Sequence, residues 1–248
     1  MNPGVAATLA GLVGVLLGPS LRGQILRYAV PAGEPTRRRC PHCAATLFRP
    51  GVPRLLGAVS PTARCPHCRQ RTGPHPGTVE VLTGVLLAAL AWRITEPLPL
   101  LAYGWLALCG VVLGAVDVAV RRLPDRLTRC ATGGTVLLFT VAVLAGEPAG
   151  RLGVALACGL GVALLYLVLV LASPTGLGAG DVRLGLLLGT AAGWYGWPTA
   201  LNALLAGLLL ASGTAAVLLG LRRVNRQDQL PHGPAMLVGT FGAVLLAA

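Results

Sequence analysis

The chain has 248 residues, 54% of them hydrophobic and only 11% charged, where a soluble domain carries about a quarter charged, so a soluble globular enzyme is excluded. Its net charge is +12, and every cation is arginine. A basic balance can signal nucleic acid, but no recognition module accompanies it and the arginines flank apolar runs, so no nucleic-acid partner is expected.

Apolar runs of membrane-spanning length recur along the chain. They predict an all-α polytopic membrane protein in a lipid bilayer, with about eight transmembrane helices and a small cytoplasmic zinc-binding loop domain. The first unit, 1–21, holds a span over 4–21. No basic residue precedes Arg22, so the charged head of a signal peptide is missing, and a retained helix with its amino terminus outside is expected. The second unit, 22–78, is the one long polar segment, with ten arginines and most of the cysteines. The third, 79–248, carries seven further spans near 79–94, 98–116, 129–146, 152–172, 182–197, 199–221 and 234–248. The spans at 182–197 and 234–248 reach only ~22–24 Å at ~1.5 Å per residue, which calls for little tilt, a start inside the loops or a thinned bilayer. With the amino terminus outside, the four inner loops and the helix ends beside them collect eighteen of the twenty arginines; only Arg93 and Arg151 fall outside. Trp194, Tyr195 and Trp197 cluster at an outer end, as an interfacial aromatic belt would.

Cys40-Pro41-His42-Cys43 and Cys65-Pro66-His67-Cys68 are two C-x-x-C hooks 21 residues apart. Two such hooks present four thiolates in a tetrahedron, which suits structural zinc. In a reducing cytoplasm metal is favoured over disulfides. Cys109, Cys130 and Cys158 lie in or beside spans and are expected to act as small apolar residues.

Two acids stand at span ends: Asp117 after 98–116, and Asp181, the only acid between Glu147 and Asp228. A carboxylate beside hydrocarbon is a functional candidate. The topology sends both to the cytoplasmic face. Paired carboxylates that share one proton can hydrolyse a peptide bond, one activating water and the other polarising the carbonyl. Asp181 would open a helix whose dipole favours its anion. Competing structural roles are a helix cap at Asp181, an ion pair of Asp117 with Arg121, a turn and cap at Asp125, and a helix-start acid at Glu80.

These residues resemble the bacterial type IV prepilin leader peptidases, membrane aspartyl proteases with a G-x-G-D motif. Gly178-Ala179-Gly180-Asp181 matches that motif, and Asp117 followed by Arg122-Leu123-Pro124-Asp125 is similar to the family's first-aspartate segment. The 64-residue separation of the aspartates, the twin cysteine hooks and Pro231-His232-Gly233-Pro234, like the family's P-F-G-P, extend the likeness over nearly the whole chain. The resemblance implies Asp117 and Asp181 as catalytic pair, with Gly178, Gly180 and Asp125 as motif support. It implies Cys40, Cys43, Cys65 and Cys68 as zinc ligands, and prepilin or pseudopilin substrates in the bacterial cytoplasmic membrane. Cleavage would follow a glycine, before the substrate's hydrophobic helix.

Many members also methylate the new amino terminus with S-adenosylmethionine, for which Glu80 is the candidate here. Arg22 stands where the family commonly has asparagine, the Tyr-Pro before the glutamate is absent, and His232 replaces a phenylalanine. The first two departures lie in the region linked with methylation. A catalytically silent zinc-stapled scaffold for pilus assembly is the alternative function. A transporter with a broken helix would place its charges near the midplane rather than at span ends.

Overall fold

The computed structural model describes residues 2–31, 33–47, 62–172, 178–223 and 230–248. Parts of three predicted inner loops, 48–61, 173–177 and 224–229, lie outside the described residues. Eight helices are described: α1 (Pro3–Tyr28), α2 (Thr78–Arg93), α3 (Pro97–Val120), α4 (Asp125–Leu144), α5 (Ala149–Ala172), α6 (Ala179–Gly193), α7 (Trp197–Gly220) and α8 (Gly233–Ala247). Five of them, α1, α3, α4, α5 and α7, are long and apolar enough to cross a membrane, and α8 is apolar but shorter. The chain is therefore an all-α polytopic membrane protein.

Consecutive helices pack most closely as α1 with α2, α3 with α4, α5 with α6 and α7 with α8. Small residues permit this where lipid gives no apolar drive to associate. A methyl group on Gly14 would stand 2.8 Å from the backbone of Gly84, and one on Gly239 would stand 2.5 Å from that of Gly207. Residues with side chains long enough to cover lipid face outward instead: Leu160, Leu164, Val168 and Leu171 form an exposed stripe down α5.

Two helix ends depart from the sequence expectation in ways that matter below. Helix α1 runs past Leu21 to Tyr28, so Arg22 is a helical residue, only 2% exposed, rather than the start of a loop. Helix α3 continues to Val120 and stops where Arg121 takes a left-handed conformation, so Asp117 sits inside its last turn. The short α6 needs no thinned bilayer: from Leu184 to Gly193 all but one residue is buried, among neighbouring helices.

The aromatic belt is a correction. Trp194 is 1% exposed and stacks on Phe139, with ring centroids 4.2 Å apart and planes 9° from parallel. Tyr103 meets Phe139 edge-on and Tyr195 face-on. Arg151 lies 5.4 Å from the Trp194 ring and 5.8 Å from that of Tyr195, and pairs with Glu147 at 2.6 Å. The chain turns after Gly193, which aims Trp194 into the bundle; only Trp197, 67% exposed, faces outward as expected.

Candidate active site

Asp117 and Asp181 come to one end of the bundle by different routes. Asp117, 5% exposed, lies at the carboxyl end of α3, and its Oδ2 accepts a 2.9 Å hydrogen bond from the Gly233 amide at the start of α8. The positive end of one helix thus meets a carboxylate on the negative end of another. Asp181, half-buried in the first turn of α6, accepts a 2.8 Å bond at Oδ2 from the Gly178 amide. The cap position expected for Asp181 falls to Gly178; Asp181, the third helical residue, bonds back to that cap amide with one of its two carboxylate oxygens. Gly180, the residue before Asp181, and Gly233, the partner of Asp117, approach one and the same side chain, Leu123.

Leu123, on the α3–α4 connection, wedges between the starts of α6 and α8. A methyl on Gly180 would stand 3.1 Å from Leu123 Cβ, and one on Gly233 would meet Leu123 Cδ2 at 3.5 Å and Asp117 Oδ2 at 2.9 Å. Glycine at 180 and 233 therefore lets α6 and α8 close on the same leucine. His232 precedes Gly233, and its Nε2 lies 2.9 Å from the Tyr166 hydroxyl. Burial pushes His232 below the usual imidazole range, while Asp181 opposes that shift. Sequence reasoning left His232 and Tyr166 without a role. The only signal was a polar residue where the resembled motif has phenylalanine.

The remaining candidates divide. Asp125 was expected to cap α4, but Pro124 occupies the cap position and Asp125 is the first helical residue, its carboxylate paired with Arg183 on α6. Asp117 makes no ion pair with Arg121; that arginine only donates its backbone amide to the Asp117 carbonyl, at 2.8 Å. Glu80 is used on both oxygens: Arg22 Nε at 2.7 Å from Oε1, and the Gly77 amide donating to Oε2 at 2.9 Å. Arg22, the departure from asparagine, is thus the partner of the glutamate retained beside it.

Between α1 and α2 the two cysteine hooks fold alike. In each, the first cysteine's amide donates to the carbonyl five residues on: Cys40 to Ala45 and Cys65 to Gln70. The residue after the second cysteine, Ala44 or Arg69, turns left-handed. The four Sγ atoms lie within 4.8 Å of one another, with Cys40–Cys68 at 3.8 Å and Cys43–Cys65 at 3.7 Å. These are far from a disulfide bond of ~2.05 Å. They match the ~3.8 Å edge of a thiolate tetrahedron with ~2.3 Å metal–sulfur bonds. Hydrogen bonds from the Cys68 amide, chiefly, and from the His67 amide hold the Cys65 thiol down to about 6 against its burial. The four-cysteine cluster can hold a metal ion. It is also tied to the aspartates: Arg122, beside Leu123, donates to the carbonyls of Val30, at 3.2 Å, and Pro31, where α1 gives way to the hooks.

Fold and site define a polytopic membrane protein with two carboxylates and a four-thiol cluster at the same end of its bundle. Residues 100–221 match the model of the type IV leader peptidase family. Three relatives bear the name prepilin leader peptidase/N-methyltransferase. That of Burkholderia pseudomallei is 31% identical over 82% of this chain and 65% of its own length. That of Klebsiella pneumoniae is 32% identical over 71% and 74%, and that of Aeromonas salmonicida 30% over 84% and 71%. The match spans just under two thirds of the Burkholderia protein. No solved structure matches. The chain belongs to the type IV leader peptidase family.

Proposed function

We propose that this chain is an aspartyl endopeptidase that removes the basic leader from type IV prepilins or pseudopilins at the cytoplasmic face of the bacterial inner membrane. The observation that carries the reading is the meeting of Asp117, Asp181, Leu123 and Gly233 at one end of the bundle. One carboxylate, ionised, takes a proton from water as the oxygen adds to the scissile carbonyl; the other, protonated, gives its proton to the carbonyl oxygen. Collapse of the diol breaks the C–N bond, and a proton passes to the leaving nitrogen. The shared proton belongs to the pair rather than to either residue.

Topology follows from charge. The amino terminus lies outside, eight helices traverse the bilayer, and the 22–78 domain and both aspartates lie inside, where the arginines gather. Cys40, Cys43, Cys65 and Cys68 hold a structural zinc ion, which braces the hooks and takes no part in hydrolysis. Methyl transfer from S-adenosylmethionine is a secondary activity; Glu80 serves it only by leaving its partners Arg22 and Gly77.

The test is mass spectrometry of a prepilin after incubation with the purified protein, which reads the cleavage position and any added methyl group together. Asp117→Asn and Asp181→Asn should each abolish cleavage while the protein stays folded and inserted. Full cleavage by both variants would falsify the proposal. An inactive wild type with its metal bound would favour the pilus-assembly scaffold, a reading that the preformed four-thiol cluster supports independently of the aspartates.

A further inference from the structure

We propose that His232 and Tyr166 form a positioning pair for the two aspartates, and that His232 exchanges protons with them, so that it sets the pH range of the enzyme. The inference rests on the peptidase reading above.

Geometry carries it. His232 immediately precedes Gly233, whose amide holds Asp117. Its Nε2 lies 2.9 Å from the Tyr166 hydroxyl, with the rings tilted at 58° and their centroids 5.6 Å apart. Tyr166 is 1% exposed and packs on α6: a methyl on Gly185 would stand 3.0 Å from its Cδ2. Gly185 is one turn beyond Asp181 on the same helix face. The pair therefore fastens α5 to the start of α8, next to the Gly233 amide that holds Asp117 and one turn along α6 from Asp181, whose carboxylate favours the charged form of His232. Among the described residues, the titratable groups towards His232 are Tyr166 on α5, Asp117 on α3 and Asp181 on α6; Arg183 on α6 is paired with Asp125 and Glu80 on α2 with Arg22, and α7, which packs on α8, has none.

Burial keeps the imidazole neutral at neutral pH. Once protonated, its Nε2–H donates to the tyrosine oxygen, and an imidazolium beside the carboxylates favours their ionised forms. Coupling is reciprocal: as Asp181 favours the proton on His232, the protonated ring disfavours the proton the aspartates share. Without this competitor the pair keeps its proton to higher pH.

Two measurements on the full-length, detergent-solubilised protein test this. In the pH profile of leader cleavage, His232→Gln retains a hydrogen-bonding group but cannot titrate, and should move the basic limb up by ~0.5 pH unit. Tyr166→Phe breaks the contact and should lower kcat ~10-fold with KM and the limb unmoved. In NMR of histidine-labelled protein without substrate, with the signal assigned by its loss in His232→Gln, the His232 titration should shift to lower pH in Asp181→Asn. Superimposable profiles for wild type and His232→Gln, or an unchanged His232 titration in Asp181→Asn, would overturn the proposal. A wild type that does not cleave while its His232 responds to Asp181→Asn removes the peptidase reading and leaves the coupling standing. A wild type that cleaves with an unresponsive His232 does the reverse.

Discussion

Among the described residues, a methyl group at Gly178 meets nothing nearer than Asp181 Oδ2 at 3.8 Å, an ordinary contact, whereas one at Gly180 presses on Leu123 Cβ at 3.1 Å and one at Gly233 on Asp117 Oδ2 at 2.9 Å. The glycines of this site are therefore unequal. Gly178→Ala should leave the rate of leader cleavage within about twofold, Gly180→Ala should lower it ~10-fold, and Gly233→Ala, which pushes a carboxylate off its position, ~100-fold. Initial rates on one prepilin, with circular dichroism to confirm folding, rank the three; a Gly178→Ala variant worse than the other two would contradict the packing. Charge next to hydrocarbon and the G-x-G-D pattern single out Asp117 and Asp181 in the sequence as candidates. What Gly233 does was not legible there, because its contact with Asp117 joins residues 116 apart and depends on how α8 docks. Asp125 shows the same limit, since local turn chemistry argued for a cap while its partner Arg183 sits on another helix.

At the scale of elements, helix existence was legible from apolar runs of spanning length, and helix ends less so. Arg22 reads as a boundary because a charged residue normally ends a span. It continues α1 because Glu80 on α2 supplies a counter-charge 2.7 Å away, at a point where Gly18 lets the two helices touch. Removing one partner of such a buried pair leaves a bare charge, so Arg22→Ala should cost roughly 3 kcal/mol of stability. The double change Arg22→Leu with Glu80→Gln should recover much of that, as read by thermal unfolding in detergent. A second link between elements is the reach of Arg122 from the aspartate loop to Val30 and Pro31. It gives the cysteine hooks a mechanical path to Leu123. Arg122→Gln should slow cleavage ~5-fold with metal content unchanged, since a small displacement of a catalytic group is enough to do so. Cys40→Ser should lose the metal and slow cleavage to a similar degree, and the double variant should be no slower than either, the mark of residues on one path. Metal content by atomic absorption beside cleavage rates decides it; additive losses would mean that the hooks act on the site by another route.

For the molecule as a whole, the charge balance poses a problem that the structure narrows. The proposed substrate segment, a prepilin leader, is basic, and so is this chain, with a net charge of +12. Long-range attraction cannot come from that field. Glu80 and Asp125, each in the first turn of its helix, are the acids to weigh as local contacts for a leader. In the structure Glu80 is enclosed with Arg22 and the Gly77 amide, and Asp125 is already paired with Arg183. That pair is exposed and correspondingly weak, so a leader cation can exchange into it on contact, but it cannot draw the leader from a distance. The source of attraction left is the bilayer. Anionic lipid headgroups gather basic juxtamembrane segments at about 1 kcal/mol per residue near the surface, and the arginine-rich end of the protein gathers the same lipids around itself. Enzyme and substrate would then meet in a shared patch of anionic lipid that screens one basic surface from the other. Reconstitution tests this: in purely zwitterionic vesicles leader cleavage should be several-fold slower than in vesicles with about a third anionic lipid, through KM rather than kcat, and raising the salt should erase much of the difference. A rate indifferent to lipid charge would return recognition to the protein, with the Asp125–Arg183 pair as its first acidic contact; Asp125→Asn should then raise KM in both kinds of vesicle.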